Sequence, residues 1–66
     1  PAVLAAADEV AVRHFLTGHI GFTDIYRVVD DALNSHQAIS NPSLDEVIAA
    51  DAWGRSFAED WVKAKA

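Results

Sequence analysis

Two glycines three residues apart, Gly18 and Gly21, interrupt a chain that reads as helix on both sides, and they constrain its fold more than any other feature. Before them, Val3, Leu4, Ala7, Val10, Ala11, His14 and Phe15 recur at the i, i+3, i+4, i+7 spacing that stacks side chains on one helical face. This spacing predicts a buried first helix from about Ala2 to Leu16. Pro1 suits a first turn because its missing N–H is not needed there, the many alanines favour helix, and Arg13 places positive charge near the negative pole of the helix. After the glycines, Phe22, Ile25, Val28, Val29, Ala32 and Leu33 repeat the spacing and predict a second helix, roughly Phe22 to Ser35, with Asp24 in its first turn. Gly18 can take the left-handed conformation that ends a helix, so Thr17 to Gly21 is a sharp corner. A connection this short forces the two helices into an antiparallel or steeply crossed hairpin.

The stretch from Asn34 to Pro42 gathers Asn, Ser, His, Gln and Pro, which compete with helical hydrogen bonds, and is expected to be a loop. Ser43-Leu44-Asp45-Glu46 then fits a capping box: the serine hydroxyl accepts from the backbone N–H three residues on while Glu46 reaches back to the serine N–H. A helix starts there. Leu44, Val47 and Ile48 define one face of it, whereas Trp53, Phe57 and Trp61 lie about half a turn away. A break near Ala50 or Asp51 would resolve the mismatch, with Asp51 capping a last helix; an unbroken helix would have to be buried on two faces. The expected fold is all-α, a small bundle of three to four helices over about residues 2–16, 22–35, 44–50 and 52–63.

Sixty-six residues allow one domain at most, and a chain this short hides only ~60% of the surface its unfolded form exposes. Without cysteine there is no disulfide and no thiolate metal site to stabilise it. Helix packing or a larger neighbour must do so. The chain starts at Pro1 and contains no methionine, so residues 1–66 are expected to be a single C-terminal domain excised from a larger multidomain protein. Ten acidic against five basic residues give a net charge of -5, which repels a phosphate backbone and argues against a nucleic-acid partner. No apolar run approaches the ~20 residues of a bilayer span, and no charged segment leads into a hydrophobic one as in a signal peptide. This piece is expected to be soluble, with no membrane partner.

Candidate chemistry is sparse. Asp8 and Glu9 are adjacent, so they point about 100 degrees apart on a helix and do not form an acid and base pair unaided; Asp30-Asp31 and Glu59-Asp60 share that limit and read as solvated faces. His14 and His19 are five apart, not the i, i+4 placement that lets two imidazoles share a zinc on one helix, and His36 sits in the polar loop. His14, on the apolar face, reads as a partly buried packing residue. Ser43 is explained by capping without a nucleophilic role. Gly18 and Gly21 follow no strand and match no phosphate-loop spacing. Trp53, Phe57 and Trp61 form an i, i+4, i+8 stripe suited to core or docking, and Arg55 beside it could bridge to an acid on a neighbouring helix.

Taken in order, PAVLAAADEVAVRHFLTGHIGFTDI followed by PSLDEVIAADAWGRSFA resembles the C-terminal helical domain of 1-deoxy-D-xylulose 5-phosphate reductoisomerase over nearly the whole chain. The matching positions are Pro1, Leu4, Ala6, Ala7, Glu9, Ala11, Val12, Phe15, Leu16, Ile20, Phe22, Asp24, Ile25, Asp51, Trp53 and Arg55. Ala5 and Asp8 stand where that family usually has asparagines. An alanine loses the amide's hydrogen bonds, and an ionised aspartate can only accept. The resemblance implies an oxidoreductase that rearranges and reduces 1-deoxy-D-xylulose 5-phosphate to 2-C-methyl-D-erythritol 4-phosphate in non-mevalonate isoprenoid biosynthesis. It implies NADPH and a divalent cation, magnesium or manganese, bound by an N-terminal nucleotide domain and a central catalytic domain of the same chain. It also implies a cytoplasmic homodimer formed largely through those domains. No catalytic, cofactor-binding or metal-binding residue is expected from the present residues, which build and dock the helical domain. Two other readings fit the sequence: a free-standing acidic helical module docking a partner through its tryptophan stripe, or a related oxidoreductase acting on another phosphorylated sugar.

Overall fold

The computed structural model describes residues 1–65; Ala66, the last residue of the expected domain, lies outside them. Three helices follow one another, α1 (Ala2–Leu16), α2 (Phe22–Ser35) and α3 (Leu44–Lys65), with no strand among the described residues. α1 is the central element, packing most extensively on α3, then on α2, while α2 and α3 touch sparingly. The body measures 36 × 18 × 16 Å, and α3, about 33 Å long at 1.5 Å per residue, runs nearly its full length. No helix among the described residues is long and apolar enough to cross a membrane.

The corner after α1 closes as its glycine requires. Gly18 has φ +82°, and with that left-handed turn the Gly18 N–H donates to the Phe15 carbonyl at 3.0 Å and the His19 N–H to the His14 carbonyl at 2.9 Å. These paired bonds are a Schellman cap, which satisfies carbonyls the helix end would otherwise leave open. α2 begins at Gly21, whose N–H donates to the Asp24 carboxylate at 2.9 Å. α3 begins at the full capping box expected from sequence: the Ser43 N–H donates to Glu46 Oε1 at 2.9 Å, and the Glu46 N–H to Ser43 Oγ at 3.1 Å.

The expected break near Ala50 and Asp51 is absent, and segments 44–50 and 52–63 are one continuous helix. Asp51 therefore caps nothing; its carboxylate accepts from Arg55 one turn later. Nor is the continuous helix buried on two faces. The mismatch between its apolar faces is met by exposure, with Leu44 75% and Ile48 59% accessible. A break would open backbone groups at two new helix ends and require a second nucleation, whereas exposing two side chains leaves the backbone ladder intact.

The core comprises Val3, Ala7, Val10 and Ala11 of α1, Ile20 of the corner, Val28 and Ala32 of α2, and Ala58 and Val62 of α3. Its members are small. Val28 is the largest side chain with no accessible surface, and burying a valine contributes only about 1.5–3 kcal/mol. Trp53, Phe57 and Trp61 do not fill the centre; they are half-buried and flank it. What faces α1 from α3 is the stripe Gly54, Ala58 and Val62, spaced one turn apart. A Cβ on Gly54 would stand 3.1 Å from the Val3 carbonyl oxygen and 3.2 Å from the Ala6 Cβ, so the missing side chain is what lets the two helices approach.

Candidate functional site

The charged residues converge on helix junctions. Arg55 of α3 donates through Nε to Asp51 Oδ2 at 2.9 Å and through Nη2 to Glu9 Oε2 of α1 at 3.0 Å, the inter-helix bridge that its position suggested. Glu9, Asp51 and Arg55 are all positions that carry the family resemblance, and the fold brings the three together. The guanidinium holds the Glu9 carboxyl below its ordinary pKa, chiefly through the direct hydrogen bond, and Glu9 and Asp51 in turn raise that of Arg55.

Asp24, another such position, is the one buried carboxylate among the described residues, only 4% accessible. Its pKa is lowered first by the Gly21 N–H, with Lys65 and Arg27 adding to the effect at 3.4 and 3.6 Å. One side chain thus caps the start of α2 and ties down the end of α3.

At the far end of α1, Glu59 accepts from Arg13 and from His14 Nε2, which hold its carboxyl low, His14 contributing most. His14 is half-buried, as its place on the apolar face implied. The structure also brings His19 to it, with Nδ1 atoms 2.8 Å apart and ring centroids at 5.1 Å. The spacing of five hid this contact because it is not a helical interval; the Schellman turn folds the chain back so that these two positions meet. His36 follows α2 and lies against Trp53, ring centroids 4.8 Å apart. Trp53 stacks on Phe57 at 5.1 Å, and Trp61 Nε1 donates to Asp31 Oδ2 of α2 at 2.7 Å. Ala5 and Asp8 lie on the exposed side of α1.

A groove of about 610 Å³ opens where the start of α1, the end of α2, the following loop and the first turns of α3 come together. Pro1, Leu33, Ile39, Val47, Ala50 and Trp53 form its walls. Sequence periodicity marked several of these as apolar, but nothing in it distinguished a covered face from an open one.

No group of three or more His, Cys, Asp or Glu among the described residues is placed to hold a metal ion, and the carboxylates that come close to one another already face Arg55, Lys65, Arg27 or Arg13. A dinucleotide fold needs a strand leading through a glycine-rich turn into a helix, and the described residues contain no strand.

Fold and site together define a small all-α domain whose ionic side chains bind its own helices to one another and whose apolar groove stands open. The family described as DXP reductoisomerase C-terminal domain matches residues 1–57. Among similar curated proteins are the 1-deoxy-D-xylulose 5-phosphate reductoisomerases of Thermodesulfovibrio yellowstonii, 46% identical over 89% of this chain, and Prosthecochloris aestuarii, 50% identical over 88%. That of Moorella thermoacetica is 54% identical over 83%. The chain belongs to the DXP reductoisomerase C-terminal domain family. It spans only 16%, 15% and 14% of the length of these three relatives. No solved structure matches it.

Proposed function

We propose that residues 1–66 are the C-terminal helical domain of a larger enzyme, an NADPH-dependent oxidoreductase that converts 1-deoxy-D-xylulose 5-phosphate to 2-C-methyl-D-erythritol 4-phosphate for isoprenoid biosynthesis. The domain supports the catalytic body and supplies no reacting group. The family match carries the activity. The structural role is supported by the way the family-matching charged residues Glu9, Asp24 and Arg55 are engaged across the chain's own helix junctions, with Asp51 bracing Arg55 from within α3. Magnesium or manganese and the nucleotide belong, in this reading, to the domains that precede this one. The full-length protein works as a cytoplasmic homodimer formed through those domains.

The full-length protein tests the reading. It should turn over 1-deoxy-D-xylulose 5-phosphate with NADPH and lose activity on chelation of the divalent cation. Arg55→Gln should lower the thermal midpoint of the full-length enzyme and leave kcat of the folded fraction unchanged. A collapse of kcat at unchanged midpoint, or saturable NADPH binding by the 66 residues alone, would overturn the division of labour.

A further inference from the structure

We propose that the open groove receives the polypeptide immediately preceding Pro1 in the full-length protein, laid in extended conformation against Leu33, Ile39, Val47 and Trp53. This rests on the reading of the chain as a domain of a longer enzyme.

Pro1 is itself part of the groove wall. The relatives are more than five times as long as this chain and the matching family is a C-terminal domain, so in this reading most of the protein precedes Pro1. A proline disfavours helix in the residue before it and drives that residue to extended geometry. The incoming segment therefore does not prolong α1 backwards; it departs extended from a point already on the groove's lip. Proline also has no backbone N–H once joined to a preceding residue. The junction thus brings no unsatisfied donor to an apolar wall.

The walls fit such an occupant. The groove is bounded mainly by aliphatic side chains and the Trp53 ring, with His36 and Glu46 the two polar side chains among its lining, and the first turns of α3 that form one side of it are exposed around their whole circumference. A second copy of the chain is a poorer occupant, because each copy carries a net charge of -5 and like charges repel.

The test places the photocrosslinker benzoylphenylalanine at Val47 of the full-length protein, at Ile39 in a second preparation, and at Leu16, 76% accessible and at the other end of α1, as control. Adducts from positions 47 and 39 should map within the residues directly upstream of Pro1, with none there from position 16. Adducts to a second copy, to remote segments only, or no adduct would overturn the proposal. Independently, Val47→Asp should accelerate amide exchange in that upstream segment by about tenfold, the loss expected from uncovering part of a valine-sized contact, while Leu16→Asp should not. Unchanged exchange with Val47→Asp would contradict it. Turnover of 1-deoxy-D-xylulose 5-phosphate by the unlabelled full-length protein decides the functional reading separately, so a covered groove in an inactive protein and an open groove in an active one are distinguishable.

Discussion

The two halves of α3 are built on different principles. From Ala50 to Val62 the helix presents Gly54, Ala58 and Val62 to α1 and is held further by Arg55 and Glu59, each bonded to a residue of α1. From Leu44 to Ala49 every residue is exposed, and what holds the backbone helical is the Ser43–Glu46 capping box and continuity with the packed half. The six residues of the exposed half fall well short of the ~12–15 below which an isolated helix is marginal, so this half depends on the packed one for its helical form. The comparison teaches that burial determines where a helix sits, while caps and continuity determine how far it extends. A large apolar residue such as Leu44 can therefore stand in solvent at the end of a well-anchored helix, available to a neighbour.

The most damaging way to break the packed half is Gly54→Leu, which forces a side chain into the Val3 carbonyl and Ala6. A loss of about 3 kcal/mol is expected, read as a fall in urea midpoint or outright unfolding. Val28→Ala empties the core rather than crowding it and should cost about 2 kcal/mol in the same measurement. On the exposed half, Ser43→Ala should cost about 1 kcal/mol; amide exchange should quicken from Leu44 to Ile48 and stay unchanged near Ala58. Ile48→Asp marks the small end of the series. Because Ile48 is exposed, the change should stay within about 0.5 kcal/mol in the 66-residue chain, and should become costly only where a neighbour covers it.

Acid sharpens the contrast. Glu9, Asp24 and Glu59, which tie the packed region together, and Glu46, which caps the exposed one, all have pKa values lowered in the fold. Each contribution is complete above the ordinary carboxylate range and is lost as the pH falls through the lowered value, because the unfolded chain takes up the proton first. Thermal midpoints should therefore hold steady from neutral pH down to that range and fall below it. Glu9→Gln combined with Glu59→Gln should flatten the fall.

The limits of α1 and α2 and the start of α3 were legible because they are written in local chemistry: Gly18 for one stop, Asp24 and Ser43 for two starts. The Arg55 bridge was legible too, since a cation beside an apolar stripe on a packed helix has few partners but the acids of the next helix. What sequence periodicity obscured was the stripe of Gly54, Ala58 and Val62. Hydrophobic patterning weights residues by size, so Trp53, Phe57 and Trp61 drew attention to a face that flanks the core, while close helix approach depends on side chains that are missing. The same weighting made Leu44 and Ile48 look like a second buried face and suggested a break that the chain does not need. Of the candidate site, the charged positions were visible one by one, but the open groove was not, because an apolar pattern is the same whether the surface is covered within the chain or by something outside it.

The central claim is that this domain leans on the rest of its protein through the unpacked half of α3. Hydrogen exchange compared between the 66-residue chain and the full-length protein tests it most directly. Amides from Val47 to Ala49, which bond within the helix but lack tertiary cover, should gain strong protection in the full-length protein, while those from Ala58 to Val62 are protected in both. Equal exchange of Val47 to Ala49 in the two proteins would contradict it.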